Sequence, residues 1–101
     1  MFNTYEKEYV DRLVHLGGAL IDVRSQNEFS RGALQGAINF PLDTIHHNAD
    51  EIDSTRPILL YCRSGHRSEM AKRYLEAIGY NNVHNIGCYR ILADAAEYIA
   101  S

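Results

Sequence analysis

Apolar positions at Tyr5, Tyr9, Val10, Leu13, Val14 and Leu16 recur at helical spacing, so the chain opens with an amphipathic helix. Asn3 or Thr4 ahead of Glu6 supplies its N-cap, and Gly17-Gly18 ends it. The run Ala19–Val23 has the length of a buried strand. From Ser25 to Gly36 the chain is polar, with one helical turn expected around Asn27–Ser30. Ala37–Phe40 forms a short strand stopped by Pro41. Leu42 to Arg56 is mixed and accommodates one or two short helices.

The clearest strand follows, Ile58–Tyr61, launched by Pro57. After the segment Cys62–Arg67, a helix is expected from near Arg67 or Ser68 to Ile78. Met70, Ala71, Tyr74, Leu75 and Ile78 form its inner stripe, and Gly79 stops it. Val83–Ile86 reads as another strand and Ile91–Ile99 as a last amphipathic helix. Strands alternating with helices through short loops predict an α/β fold, a parallel sheet with helices on its faces. No repeat, low-complexity tract or linker divides residues 1–101, so the expectation is a single domain.

Composition narrows the function classes. A net charge of −3 argues against nucleic acid as the main partner, because backbone binding needs a basic surface. The apolar runs are strand-sized, too short to span a bilayer, so no membrane partner is expected. The first residues lack the basic-then-apolar build of a secretion signal, which points to a cytoplasmic home. Two cysteines are too few for a disulfide scaffold or a structural zinc site. They read as thiols, with no metal and no cofactor expected.

Chemistry concentrates at Cys62. In an open parallel sheet, sites lie beyond the carboxyl ends of the strands, where a loop turns into a helix. Cys62 stands at such a junction, followed by Arg63, Ser64, Gly65, His66, Arg67 and Ser68. The first N–H groups of a helix lack intrahelical partners and can point at the sulfur. The helix dipole and the two arginines add positive charge. Each effect favours thiolate over thiol. Lowering a cysteine pKa from about 8.5 to about 6 takes about 3.4 kcal/mol. N–H bonds to a charged sulfur, at about 1.5–3 kcal/mol each, supply that. The same cradle suits a persulfide, whose outer sulfur is also anionic.

The stretch Ile58–Ser68 resembles the active-site strand, loop and helix start of rhodanese domains. Leu20–Arg24, Glu28-Phe29 and Gly36–Leu42 resemble that family's N-terminal signature, and Gly79-Tyr80 with Val83–Gly87 its last strand and glycine turn. The resemblance covers nearly the whole chain in order. It implies the rhodanese-like fold and a sulfurtransferase with Cys62 as the sulfur carrier. The implied donor is a small anion such as thiosulfate. The implied acceptor is cyanide or a thiol, with a sulfur-accepting protein as a further partner. It also implies substrate contacts along Arg63–Ser68, with Arg67 as a cation beside the sulfur. A charge network joining Asp22, Arg24 and Glu28 is expected as well. Ala33 stands where the family often has a histidine, Gly87-Cys88 where it has paired glycines, and the chain has no tryptophan. These departures bear on the acceptor rather than on the reaction.

Two other readings share the reactive cysteine. A cysteine phosphatase or arsenate reductase on the same fold would place five residues between cysteine and arginine. Here four residues separate Cys62 from Arg67, a tighter cradle suited to one sulfur atom. A persulfide carrier or redox sensor without turnover is the other. His66 lines the pocket or faces solvent. His46 and His47, being adjacent, should point apart, and His15 and His84 read as surface or satisfied residues. Tyr5, Tyr9 and Tyr74 read as core. Cys88, in the turn after the last strand, is a candidate to attack a Cys62 persulfide and leave an internal disulfide.

Overall fold

The computed structural model describes residues 7–88 and 99–100. Its centre is a sheet of strands β1 (Ala19–Asp22), β3 (Ile38–Asn39), β4 (Ile58–Cys62) and β5 (Val83–Cys88). They lie in the order β3-β1-β4-β5, and every pair is parallel. A second, antiparallel pair joins β2 (Ala33–Leu34) to β6 (Ile99–Ala100). Helices α1 (Lys7–His15), α2 (Gln26–Ser30), α3 (Ile45–Asn48) and α4 (His66–Ala77) complete the described elements, with 3₁₀ turns at Leu42–Thr44 and Ala49–Glu51. The fold is α/β, as the alternation of elements predicts.

The two-residue alternation of a strand splits β4 between two cores. Ile58, Leu60 and Cys62 face one side, packed with Ile21, Val23, Ile45 of α3, and Ala71 and Leu75 of α4. Leu59 and Tyr61 face the other, with Val10 and Leu13 of α1, Leu20, Leu34 and Ile86. Cys62 therefore sits at the carboxyl end of the central strand, under α4. Gly18 lets α1 fold back onto that strand: a Cβ there would lie 2.7 Å from the Leu13 carbonyl oxygen, so no larger residue fits without movement.

Several boundaries differ from the sequence pattern. Tyr5 and the Asn3 or Thr4 cap lie outside the described residues. Tyr9 is exposed rather than core, because Val10 and Leu13 are the residues of α1 that turn inward. Met70 and Ile78 are exposed too; the buried stripe of α4 is Ser68, Ala71 and Leu75, while Tyr74 packs partly buried against the core. Ala33–Leu34 is a strand inside the polar connection. Most of the predicted helix 91–99 lies outside the described residues, but its last residue, Ile99, belongs to β6. The imidazoles of His46 and His47 do not diverge: their ring centres are 4.0 Å apart.

The last strand also runs further than its apolar stretch, through Gly87 to Cys88. Leu60 pairs with Asn85 and Tyr61 with Gly87, so Ile86 is an extra residue and β5 bulges there. Beyond the bulge, Cys88 is the register partner of Cys62 instead of lying in a turn.

Candidate active site

Strand β4 ends at Cys62, and α4 begins at His66, one residue before the expected start. The loop between is only Arg63-Ser64-Gly65. Gly65 closes it with φ 92°, a left-handed conformation that side chains disfavour. That turn aims its N–H at the Cys62 sulfur, 3.0 Å away. The Ser68 hydroxyl, one turn into α4, lies 3.4 Å from the same sulfur. Burial pushes the Cys62 thiol pKa up. The Ser68 hydroxyl and the backbone N–H groups of Ser68, Ser64 and Gly65 outweigh it, so the net shift is downward. The thiolate is stabilised by neutral donors at close range, as expected for a turn leading into a helix.

Behind the cradle stands Asn85, a residue the sequence pattern passed over. It is buried in β5, and all of its amide is engaged. It donates to the Gly65 carbonyl at 3.0 Å and to Glu69 Oε1 at 3.0 Å. It accepts from Ser68 Oγ at 2.7 Å and from the Gly87 N–H at 3.0 Å. Asparagine is a poor strand former, and an asparagine inside the strand Val83–Ile86 was the available signal. The hydroxyl of Ser68 carries one proton. While that proton rests on Asn85, the Cys62 thiol donates to Ser68; once Cys62 is ionised, the same hydroxyl is within reach to donate to the sulfur instead.

The remaining loop residues divide. Arg63, Ser64 and His66 are exposed, and the His66 N–H donates to Ser64 Oγ at 3.4 Å. Arg67 lies in the first turn of α4. Its guanidinium grips both carboxylate oxygens of Glu28, at 2.7 and 3.0 Å. This corrects the expected network: Asp22 pairs with Arg24 at 2.7 Å, both buried, while Glu28 turns to Arg67. Arg24 also donates to the Gly32 carbonyl at 2.7 Å, so its pair with Asp22 ties β1 to the β2 segment. Glu28 closes a capping box with Ser25 at the start of α2. The Arg67 hydrogen bonds, with the capping contacts, outweigh burial and hold the Glu28 carboxyl at about 2. Beside Arg67 opens a cavity of about 280 Å³, lined by Val23, Ser25, Pro41, Leu42, Asp43 and Arg67. Val23 and Leu42 pack in the same cluster as Cys62.

A parallel sheet, a cysteine at the end of its central strand and a three-residue loop closed by an αL glycine agree with a family match over residues 6–88. The matching family is the rhodanese-like domain. The chain belongs to this family. It is 37% identical over 67 residues to a sulfurtransferase of Allochromatium vinosum, a match covering 66% of this chain and 63% of that protein. To thiosulfate sulfurtransferase PspE of Escherichia coli (strain K12) it is 33% identical over 75 residues, covering 72% of each. The chain thus spans less than two thirds of the Allochromatium protein's length. A solved rhodanese with anions from E. coli superposes with a TM-score of 0.68 at 33% identity, covering 72% of this chain and 88% of that one. The rhodanese-like fold and membership of a sulfurtransferase family follow. Among the described residues no helix is long and apolar enough to cross a membrane, and no cluster of three or more His, Cys, Asp or Glu is placed to hold a metal.

Proposed function

We propose that this rhodanese-like chain acts as a single-domain sulfurtransferase that moves sulfane sulfur from a donor such as thiosulfate to a thiophilic acceptor through a persulfide on Cys62. The observation that carries the proposal is the Gly65 N–H 3.0 Å from the Cys62 sulfur, within a cradle that lowers the thiol pKa. In the first step the Cys62 thiolate attacks the outer sulfur of thiosulfate, the S–S bond breaks, and sulfite leaves with its electron pair. Cys62 then carries S–S⁻, one negative charge as before. In the second step cyanide or a thiolate attacks the outer sulfur, and the Cys62 thiolate is the leaving group. No external oxidant, metal or cofactor enters the balance. The residues Arg63, Ser64, Gly65, His66, Arg67 and Ser68 form the substrate side of this site, with Gly65 and Ser68 on the sulfur itself.

The engagement of Arg67 with Glu28 also favours sulfur over phosphoryl transfer, since an oxyanion reaction needs its arginine on the substrate. A reducing compartment such as the cytoplasm would keep the thiols available, and a sulfur-accepting protein is an acceptor of the same chemistry. Attack of Cys88 on the Cys62 persulfide, expelling hydrosulfide, belongs to this proposal as a side reaction read out by cysteine mapping without reductant. The test of the main reaction is intact mass. Thiosulfate should add one sulfur atom, cyanide should remove it as thiocyanate, and Cys62→Ser should abolish both. Turnover by Cys62→Ser at the parent rate would overturn the proposal.

A further inference from the structure

Arg67, in the first turn of the helix behind Cys62, is already engaged. Arg67 is held bidentately by Glu28, at 2.7 and 3.0 Å. Glu28 is itself fixed by the Ser25 N–H at 3.0 Å, so the acceptor side of the pair is anchored to α2. The cavity that Arg67 lines adds a second carboxylate, Asp43, and three apolar residues, Val23, Pro41 and Leu42. Arg63, the other loop arginine, is exposed and lies outside the lining of this cavity. The lining therefore combines a guanidinium already paired with Glu28, a second carboxylate and three apolar side chains. Such a rim disfavours a small dianion, whose two charges would meet like charge without a cation released to receive them. It suits a donor with a single charge and an apolar body that rests on Val23, Pro41 and Leu42.

We infer that Glu28 is a specificity-determining residue: by clamping Arg67 it turns the cavity that Arg67 lines, whose Val23 and Leu42 pack in the same cluster as Cys62, away from inorganic thiosulfate and toward organic sulfane donors of low charge, such as thiosulfonates and alkyl persulfides. The inference rests on Cys62 as the sulfur acceptor. A thiosulfonate, R–SO₂–S⁻, reacts with the same balance as thiosulfate. The Cys62 thiolate takes the outer sulfur, and the sulfinate R–SO₂⁻ leaves with the electron pair of the broken S–S bond. Only the charge and the body of the leaving group differ, so comparing the two donors isolates the pocket.

Glu28→Gln is the informative variant. Glutamine at this position retains the capping box, because its amide oxygen can still accept from the Ser25 N–H, while the charge that neutralises Arg67 is lost. The experiment measures kcat/KM for thiosulfate and for benzenethiosulfonate, with cyanide as acceptor, in the parent and in Glu28→Gln. Each value is divided by that donor's rate with a free thiol, which removes intrinsic reactivity. In the parent the corrected value should favour benzenethiosulfonate. In Glu28→Gln the thiosulfate value should rise about fivefold, the factor for releasing one partly exposed ion pair, while the aryl donor changes less than about twofold. A thiosulfate value that falls or stays level in Glu28→Gln overturns the inference, since Glu28 would then be presenting Arg67 to the dianion. Failure of the underlying reaction is read separately: Cys62→Ser would keep its turnover with both donors.

Discussion

Asn85 takes the hydroxyl proton of Ser68 across 2.7 Å, and Ser68 in turn lies 3.4 Å from the Cys62 sulfur. The strand next to β4 thereby competes with the sulfur for the same proton. Ser68→Ala removes a donor for which the ionised or persulfidated sulfur competes with Asn85. The Cys62 thiol pKa should rise by about one unit, the lower end of what a hydrogen bond to a charged group contributes. Titration of thiolate ultraviolet absorbance measures it directly. An unchanged titration curve would show that the hydroxyl stays on Asn85 throughout.

Asn85→Ala acts on stability as well as on chemistry. It strips buried partners from the Ser68 hydroxyl and the Gly87 N–H together, while the Gly65 carbonyl keeps only its bond from the Glu69 N–H. Leaving such groups unsatisfied costs about 1–3 kcal/mol each before water re-enters, so a loss of about 2–3 kcal/mol is expected for the protein. Chemical denaturation reads this, and a loss below about 0.5 kcal/mol would mean that the network is not structural.

Much of this arrangement is legible along the chain, and the parts that are not share a cause. β1 and β4 stand out as apolar runs with glycine or proline ahead of them, and Cys62 announces itself by its place between strand, glycine and helix. Local signals suffice there. Asn85, in contrast, acts on Gly65, 20 residues away, and Glu28 on Arg67, 39 residues away. Pairing at that range depends on topology, which periodicity does not encode. Ala33–Leu34 fails for the same reason: two residues become a strand only because Ile99–Ala100 lies against them. The exposed Tyr9 and Met70 show the reverse error. On short helices several apolar residues fit helical spacing, and only the packing partner decides which of them turn inward.

Gly65→Ala tests the loop geometry apart from its charge. At φ 92° an L side chain costs about 1–2 kcal/mol. Relief of that strain would swing the N–H away from the sulfur. Sulfur transfer should fall by at least about tenfold, with the larger part in kcat, because the N–H stabilises the ionised sulfur that reacts. Turnover within twofold of the parent would remove the Gly65 N–H from the mechanism.

The pH profile of the first half-reaction follows from the direction of the Cys62 shift. Only the thiolate attacks, so the rate rises with pH through the folded-state pKa. That pKa lies below the free-thiol value of 9.0, because the Ser68 and loop donors outweigh burial. The stability linked to this ionisation is full above the unfolded value and is lost as pH falls through the folded one. The rate of persulfide formation should therefore level off before pH 9, and thermal stability should decline together with it on the acid side. A rate that still climbs as steeply above pH 9 as below it would place the pKa at or above that of an ordinary thiol.

The Glu28–Arg67 pair carries its own pH signature. Its carboxyl moves from 4.5 to about 2 on folding, chiefly through the Arg67 hydrogen bonds. A depressed carboxylate contributes stability that is fully present above the unfolded value of 4.5 and disappears as pH falls through the folded value of about 2. The Arg67 and Glu28 side chains are 36% and 22% exposed, so water and salt screen the pair. Its contribution is then nearer the ~1 kcal/mol of a well-formed surface ion pair than the full linkage of the shift. Glu28→Gln keeps the α2 capping box and loses only the ionisable group. At neutral pH and low salt the parent should be more stable than Glu28→Gln by about 1 kcal/mol. Between pH 4.5 and about 2 that gap should close, as both proteins come to carry an uncharged side chain at this position. Added salt at neutral pH should narrow it too. Urea denaturation of the two proteins across that window measures the gap itself, so the acid destabilisation common to both cancels. A gap that persists unchanged at the acid end would assign the difference to packing around α2 rather than to the charge that holds Arg67.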